Sequence, residues 1–436
     1  MADQEIRDWL DAHVNLEQGL GVPSDRRVSA PTLDRMRALA EWLGSPNEDL
    51  AATHITGTNG KTSTARMCVA LLSELGLRVG SYTSPHLERV NERLAIDGEP
   101  VDDEALDEVL DAVRRVEPQL VERLSYFEIL TGAAFRWFVD EAVDVAVVEV
   151  GLGGRWDATN IIDARVAVVT NVGIDHVEYL GPTREGIAAE KAGIVKADSR
   201  LVLGETDPDI QRVFLDRNPP SVARRDFEFG TTGNRLAVGG RLLDLYTPRG
   251  DHNGVFLPLH GAHQGDNAAI ALAAAEELVD VPFSDAIVHE ALGRVQSPGR
   301  LEVLQRNPLV VLDGAHNVAG AELLVSSLAE EFPVAPRTLV VGLLREKEPH
   351  EMLQALDVRG ANRLVVCRPP SPRGRDPQDV MQAALDLGVD DDDIDVCETV
   401  REAVGAAVLA TPAEGQIVIT WTLYVVGAAR SILLPE

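Results

Sequence analysis

Short apolar runs rich in β-branched residues recur along the chain and alternate with segments of helical periodicity. Residues 144–150 and 165–170 both contain the run Val-Ala-Val-Val. Such runs are typical of strands buried on both faces, as in a parallel sheet covered by helices. The pattern therefore predicts an α/β fold with a mainly parallel sheet in the first part of the chain.

A second series of strand and helix patterns begins near residue 300. The helical pattern stops at residues 297–300, Ser-Pro-Gly-Arg, which contain two helix breakers. Further apolar runs predict a small doubly wound sheet, and they lie at residues 309–312, 338–342, 363–367 and 416–420. A chain of 436 residues, 45% of them hydrophobic, can bury more than one core. We therefore expect two domains, residues 1–297 and 298–436, with a hairpin excursion over residues 227–256 at the edge of the first.

A phosphate-binding loop is predicted between a strand at residues 53–56 and a helix that starts at Lys61. Its sequence is Gly57-Thr58-Asn59-Gly60-Lys61-Thr62. Glycines let backbone N–H groups converge on phosphate oxygens, Lys61 can bridge two phosphates and Thr62 can bind magnesium. Position 55 is Ile where the common form of this loop has Gly, so the loop is the shortened variant. We expect a nucleotide to bind here.

Three candidate metal ligands lie where predicted strands end. Glu149 ends an apolar strand, His176 follows the strand at residues 165–170, and Ser84 lies in a Thr-Ser-Pro-His segment. The carboxyl ends of strands in a doubly wound sheet converge on the ligand crevice. His176 alone could be a capped surface histidine, but the neighbouring Glu149 and phosphate loop favour a metal ligand. An ionised Glu149 at the end of a buried strand would also be costly without a partner.

Lysine is scarce: the chain has four, against 36 arginines. A preference for Arg codons explains part of this scarcity, but not the positions of Lys61 and Lys191 inside chemically demanding motifs. Lys191 could also pair with Glu190 or cap a helix. For Lys196 and Lys347 we expect solvated charges.

The net charge of −30 and the pI near 4.7 disfavour nucleic acid and anionic membranes as partners. Acidic runs such as residues 390–393 indicate adaptation to a salt-rich cytoplasm, where a short Debye length screens self-repulsion. The three cysteines form no metal pattern and fit a reducing cytosol. No apolar run approaches the ~20 residues of a membrane span. We expect a cytoplasmic protein from a halophile.

Six motifs in order resemble the folylpolyglutamate synthase and dihydrofolate synthase family of the Mur ligase superfamily. They are GTNGKT at 57–62, TSPH at 83–86, EVGLGGRWDATN at 149–160, NVGIDHVEYLG at 171–181, EKAGIVK at 190–196 and LDGAHN at 312–317. The resemblance implies a P-loop, Mur-ligase-type ATPase domain followed by a smaller Rossmann-like domain. It also implies an ATP- and magnesium-dependent ligase that joins L-glutamate to a pteroyl carboxylate, from dihydropteroate or folate, through an acyl phosphate.

The resemblance also implies site residues, with Lys61, Lys191 and His316 in the catalytic centre. The implied ATP contacts are Gly57, Thr58, Asn59, Gly60, Lys61, Thr62, Asn267, Arg300 and Asp313. The implied ligands of two magnesium ions are Ser84, Glu149, His176 and Lys191, the last as a carbamate. The implied pterin contacts are Ser125, Tyr126, Phe127, Glu128, Trp156, Asp157 and Ala158. The implied contacts of incoming glutamate are Asp313 and His316.

The chain departs from the family pattern at two places. Trp421 stands where the family usually has the glycine of a Gly-Ser pair, which changes the local geometry near the implied glutamate pocket. Residues 19–22 resemble a short glycine-leucine segment of the family, but the following residues match it poorly.

Two alternative functions remain at this stage. A cell-wall or cyanophycin-like Mur ligase shares the ATP machinery, but only 56 residues precede Gly57, fewer than a further substrate domain needs. A nucleotide-gated switch without catalysis would not need Lys191 or the pair of Glu149 and His176. We expect a monomer, with K⁺ as a further plausible cofactor.

Overall fold

The computed structural model describes residues 3–15, 17 and 33–434. The glycine-leucine segment at residues 19–22 lies outside the described residues. These residues form three sheets, and the mixed α/β architecture predicted from the sequence is confirmed.

The first sheet has eight strands, of which six are parallel and two form an antiparallel extension at one edge. The strand order is β4-β3-β2-β5-β1-β6-β7-β8. The strands are β1 (Ala52–Thr56), β2 (Val79–Tyr82), β3 (Leu94–Ile96), β4 (Glu99–Pro100), β5 (Val145–Glu149), β6 (Val166–Val169), β7 (Arg200–Leu203) and β8 (Val222–Arg224). The helices are α1 (Gln4–Asp11), α2 (Asp34–Trp42), α3 (Lys61–Glu74), α4 (Asp103–Val116), α5 (Tyr126–Asp140), α6 (Val177–Leu180), α7 (Arg184–Lys191) and α8 (Pro208–Leu215).

The glycine-rich segment after β8 forms a separate antiparallel sheet of three strands, and not the two-stranded hairpin that the sequence predicts. Its strands are β9 (Gly230–Ala237), β10 (Gly240–Thr247) and β11 (Gly250–Leu257), and they are followed by α9 (His263–Val279) and α10 (Asp285–Leu292). Leu243, Leu245 and Val255 of this sheet are buried with residues of α3 and α9 in one apolar cluster. The third strand therefore helps to cover the core of the first sheet.

The last third of the chain forms a six-stranded sheet, which we call the second sheet because it is the second of the two larger ones. Its strand order is β12-β13-β17-β14-β15-β16, and it is parallel except for β12. The strands are β12 (Glu302–Arg306), β13 (Leu309–Asp313), β14 (Arg337–Val341), β15 (Arg363–Cys367), β16 (Ile394–Cys397) and β17 (Gln416–Thr420). The helices are α11 (Val318–Glu331), α12 (Pro349–Ala355), α13 (Pro377–Asp386), α14 (Val400–Ala410) and α15 (Leu423–Leu433). Apolar clusters lie on both faces of this sheet, as in a doubly wound fold.

Trp421 lies directly after the central strand β17 and has a left-handed backbone, with φ +77°. This conformation favours glycine and is uncommon for a bulky residue. The side chain is 1% exposed and belongs to an apolar cluster on one face of the second sheet. The chain therefore keeps the backbone geometry of a glycine at this position while burying an indole.

Candidate active site

The predicted phosphate loop joins the end of β1 to the first residue of α3, as its sequence indicates. Gly60 has φ +83° and precedes Lys61, the first helical residue. A Cβ atom added at Gly60 would lie 2.5 Å from Oδ1 of Asn267 on α9. Only glycine fits this turn, both for its backbone angle and for the close approach of Asn267.

Two lysine side chains, those of the buried Lys191 and the half-buried Lys61, converge on the carbonyl of Gly57. Lys61 Nζ donates to this oxygen at 3.1 Å and Lys191 Nζ at 2.8 Å. Burial lowers the pKa of both amines, and the charge of Lys61 adds to the effect at Lys191, whose pKa falls to about 7. A substantial fraction of Lys191 is therefore neutral and nucleophilic near neutral pH. Lys191 therefore contacts Gly57, whereas the alternative predictions had it pair with Glu190 or cap a helix.

Glu149, Thr62 and Ser84 form an oxygen-rich group beside the loop. The Thr62 hydroxyl donates to both carboxylate oxygens of Glu149 at 3.0 Å. The backbone N–H of Ser84 points to the same carboxylate at 3.4 Å. Burial raises the pKa of Glu149, and the positive charge of Lys61 opposes this rise. Hydroxyl and carboxylate oxygens are the donors that magnesium prefers, so this group fits the ion.

A second polar group surrounds Asp175 and joins the two larger sheets. His316 Nε2 lies 3.2 Å and Lys347 Nζ 2.9 Å from the Asp175 carboxylate. Asn317 donates to the same carboxylate at 2.9 Å, and His176 Nε2 lies 3.9 Å away. Burial would raise the pKa of Asp175, but the hydrogen bond from His316 and the nearby positive charges hold it well below its usual range. Asp175 is therefore the anionic centre of the contact between the sheets.

The structure places three of the four predicted metal ligands in two neighbouring groups, and the fourth, Lys191, on the Gly57 carbonyl. Ser84 lies beside Glu149, whereas His176 lies beside Asp175 and His316, with nitrogen and oxygen atoms close enough to share one cation. Lys61, Lys191, Asp175, His176 and His316 line one small pocket. The His176 side chain is 45% exposed, so its imidazole is accessible to a cation.

The three predicted ATP contacts outside the loop lie along the junction between the sheets. Asn267 lies against Gly60, and Arg300 donates to the Gly314 carbonyl at 3.1 Å. Asp313, at the end of β13, accepts hydrogen bonds from two backbone N–H groups, those of Leu301 and Ala315. Burial raises the pKa of Asp313, against the opposing charge of Arg300.

Three of the predicted pterin contacts are engaged within the protein. Ser125 and Glu128 form a reciprocal capping box at the start of α5, and Arg35 donates to Glu128 at 2.9 Å. Tyr126 is buried, with the guanidinium of Arg93 5.5 Å from its ring centre. These side chains have a direct structural role in shaping the start of α5.

The other predicted pterin contacts lie around the loop that follows β5. The Phe127 ring lies against Gly151, where an added Cβ would be 2.5 Å from Cζ. Asp157 accepts from the Leu152 N–H at 2.8 Å and begins a short 3₁₀ turn that buries Ala158. Trp156 is 46% exposed and so offers an aromatic surface to a ligand. Phe127 and Trp156 thus both lie at the loop that follows β5.

Sequence reasoning missed the partners of two lysines. Lys347 is not a solvated charge, because it pairs with Asp175 across the junction. Lys196 is half-buried and donates to the Asn160 carbonyl at 3.0 Å, so it is only partly solvated. The scarcity of lysine was itself a signal that each one has a specific partner.

Among the described residues, no helix combines the length and the apolar character needed to cross a membrane.

Comparisons with known proteins place the chain among Mur ligases. Residues 122–275 match the Mur ligase middle domain, and residues 299–421 match the Mur ligase glutamate ligase domain. The dihydrofolate synthase/folylpolyglutamate synthase of Mycobacterium tuberculosis is 39% identical, covering 92% of this chain and 90% of that protein.

Solved structures agree with this assignment. Folylpolyglutamate synthase of M. tuberculosis, complexed with ADP and AMPPCP, has a TM-score of 0.90 at 37% identity and covers 99% of this chain and 98% of that one. The bifunctional folylpolyglutamate synthase/dihydrofolate synthase of Yersinia pestis, complexed with AMPPNP and Mn ion, has a TM-score of 0.84 at 28% identity, and the alignment covers 98% of each chain. The chain belongs to the folylpolyglutamate synthase/dihydrofolate synthase family of the Mur ligase superfamily.

Proposed function

We propose that the protein is an ATP-dependent ligase that adds L-glutamate to dihydropteroate, to folyl(poly)glutamate, or to both. The observation that carries this proposal is the convergence of Lys61 and Lys191 on Gly57, between the group of Glu149 and the group of Asp175. Phosphate, metal and acceptor groups can therefore meet in one cavity between the two larger sheets.

The reaction has two steps. A carboxylate oxygen of the acceptor attacks the γ-phosphorus of ATP, the bond to the bridging oxygen breaks, and ADP and an acyl phosphate form. The neutral amine of glutamate then adds to the acyl carbon, phosphate leaves and the nitrogen loses a proton. Lys61, at the mouth of the phosphate loop, stabilises the negative charge on the transferring phosphoryl group.

Magnesium fits the donors of this site. Thr62, Ser84 and Glu149 would hold one ion, and His176 with a carbamate on Lys191 would hold a second. The ions supply charge neutralisation of the phosphate oxygens when bound. K⁺ is a further candidate cofactor.

Carbamylation of Lys191 is favoured by its lowered pKa, since carbon dioxide reacts with the neutral amine. The nitrogen attacks carbon dioxide, one proton leaves, and the side chain gains a carboxylate. Arginine has no comparable neutral form in proteins. This chemistry accounts for the retention of lysine at position 191 in a lysine-poor chain.

The substrates fill three regions around the loop. Phe127, Trp156 and Asp157 bind the pterin, with Ser125, Tyr126, Glu128 and Ala158 forming the wall behind them. Asn267, Arg300 and Asp313 contact ATP at the junction. Asp313, the last residue of β13, and His316, just after that strand, orient the incoming glutamate toward the acyl carbon.

The acyl phosphate is tested with an acceptor labelled with ¹⁸O in the reacting carboxylate. The proposed path transfers one labelled oxygen to the released phosphate, which mass spectrometry detects. Unlabelled phosphate from a competent reaction would contradict it.

We also propose a monomer in the cytoplasm, which size-exclusion chromatography with light scattering and cell fractionation test. A cell-wall or cyanophycin-like ligase is the alternative function. Turnover of a muramyl nucleotide in place of a folate would favour it.

A further inference from the structure

Helix α15 of the second sheet lies directly on the loop that carries Ser84. A Cβ atom added at Gly427 in α15 would overlap the Leu87 carbonyl oxygen and lie 3.0 Å from its carbon. Glycine within a helix is less favourable than alanine, so its presence here indicates a packing reason. That reason is the close approach of the helix backbone to the loop.

Side chains hold the same contact on both sides of Gly427. Leu87, although it belongs to the first part of the chain, packs against an apolar cluster of the second sheet that includes Val426. Arg430 pairs with Glu88 at 2.7 Å, and the Ser431 hydroxyl donates to the same carboxylate at 2.6 Å. The loop is therefore attached to the second sheet by apolar, ionic and hydrogen-bond contacts.

The loop between Ser84 and Leu87 is held at both ends. The Glu92 carboxylate accepts from three consecutive backbone N–H groups, those of Leu87, Glu88 and Arg89, at 2.7–2.9 Å. At the other end, the Ser84 N–H points to Glu149. A displacement of Leu87 is therefore transmitted along three residues to the oxygen-rich group beside the phosphate loop.

We infer that Gly427 is a positioning residue, which seats α15 on the loop so that Ser84 stays beside Glu149. The inference rests on the proposed role of Ser84 and Glu149 in holding magnesium. It means that separation of the second sheet from the loop weakens the metal site, so domain position and magnesium affinity are coupled through one glycine.

The test compares Gly427→Ala with Gly405→Ala. Gly405 also lies inside a helix of the second sheet, α14, but no described atom lies within 4 Å of an added Cβ there. Both variants gain the same helix propensity, and only the first pushes α15 from the loop. The readouts are the magnesium dependence of ATP-driven phosphate release and the magnesium dependence of ADP binding by calorimetry.

For Gly427→Ala we expect the magnesium concentration at half-maximal effect to rise at least fivefold in both assays, with partial rescue of the rate at high magnesium. Gly405→Ala should keep the wild-type value. A folded Gly427→Ala protein with wild-type magnesium dependence would overturn the inference.

Two further measurements keep the test decisive. If Gly427→Ala does not fold, Leu87→Ala removes the apolar contact without a clash. An increase of at least fivefold in the magnesium concentration at half-maximal effect would then support the inference, and a wild-type value would overturn it. If the wild-type protein releases no phosphate with glutamate and either dihydropteroate or a folate, the proposed function fails. The ADP measurement still decides whether Gly427 acts on the magnesium site.

Discussion

At the scale of single residues, Lys191 connects the sequence to the chemistry. Its Nζ is buried against the Gly57 carbonyl, and its pKa is lowered to about 7 by burial and by Lys61. We predict that Lys191→Ala lowers phosphate release about 10²–10³-fold, the usual cost of losing one well-placed electrostatic group. Added bicarbonate should not restore it. Lys196→Ala is the matched control and should keep its rate; near-normal turnover of Lys191→Ala would exclude the carbamate.

The lowered pKa of Lys191 also predicts a pH dependence of stability. Between pH 7 and the ordinary lysine pKa of 10.5, the unfolded chain binds a proton that the folded chain does not, so the free energy of unfolding rises with pH. Lys191→Met removes this pH-dependent contribution to the free energy of unfolding. Its stability gain over the wild type should be largest near pH 6.5 and should shrink toward pH 10. Urea unfolding in carbonate-free buffer measures the difference, and a gain independent of pH would disagree with the buried amine.

Trp421 combines an unfavourable backbone with a favourable side chain. A left-handed conformation costs roughly 1–2 kcal/mol, whereas truncation of a buried Trp costs roughly 3–5 kcal/mol. We therefore predict that Trp421→Gly lowers the free energy of unfolding by about 1–4 kcal/mol, since the lost indole outweighs the relieved strain. Trp421→Phe should lose less, because within the described residues the indole N–H has no hydrogen-bond partner. A more stable Trp421→Gly protein would show that the strain dominates.

At the scale of elements, the phosphate loop is the part of the site that sequence spacing predicts best, because strand, glycine turn and helix are local features. We predict that Gly60→Ala weakens ADP binding at least tenfold, since the new Cβ meets Asn267 as well as a left-handed backbone. Gly76→Ala is the control: it has a similar φ of +94° but no described atom within 4 Å of the added Cβ. Calorimetry should show unchanged binding for the control, and equal losses would trace the effect to backbone strain alone.

Other elements could be predicted only in part. The strands at residues 144–150 and 309–312 were predictable because continuous apolar runs signal burial on both faces. The sequence predicted a hairpin where the structure has the three strands β9, β10 and β11, because residues 227–256 carry little apolar periodicity. The capping box of Ser125 and Glu128 has a local signature, a Ser three residues before a Glu, so it is predictable from the sequence.

At the scale of the whole molecule, contacts between distant segments escaped prediction. Lys347 and Asp175 are separated by 172 residues, and no local pattern relates them. The contact of Gly427 with Leu87 likewise depends on how the second sheet sits on the first. Such contacts are set by tertiary packing, so the sequence indicated the residue types but not the pairs.

The net charge of −30 is also a property of the whole molecule. Self-repulsion on this scale destabilises a compact fold, and salt screens it because the Debye length falls to about 3 Å at 1 M. We predict that the unfolding midpoint and the ligase activity both rise steeply up to molar KCl. Circular dichroism and phosphate release across a KCl series test this, and full activity in dilute buffer would leave codon preference as the account of the lysine scarcity.

The most direct measurement is phosphate release from ATP with magnesium and L-glutamate, comparing dihydropteroate, a tetrahydrofolate monoglutamate and a muramyl nucleotide as acceptors. We predict release with dihydropteroate, with the folate, or with both, accompanied by a product that is heavier by one glutamyl residue. Release with the muramyl nucleotide alone, or with none of the three, would contradict the proposed function.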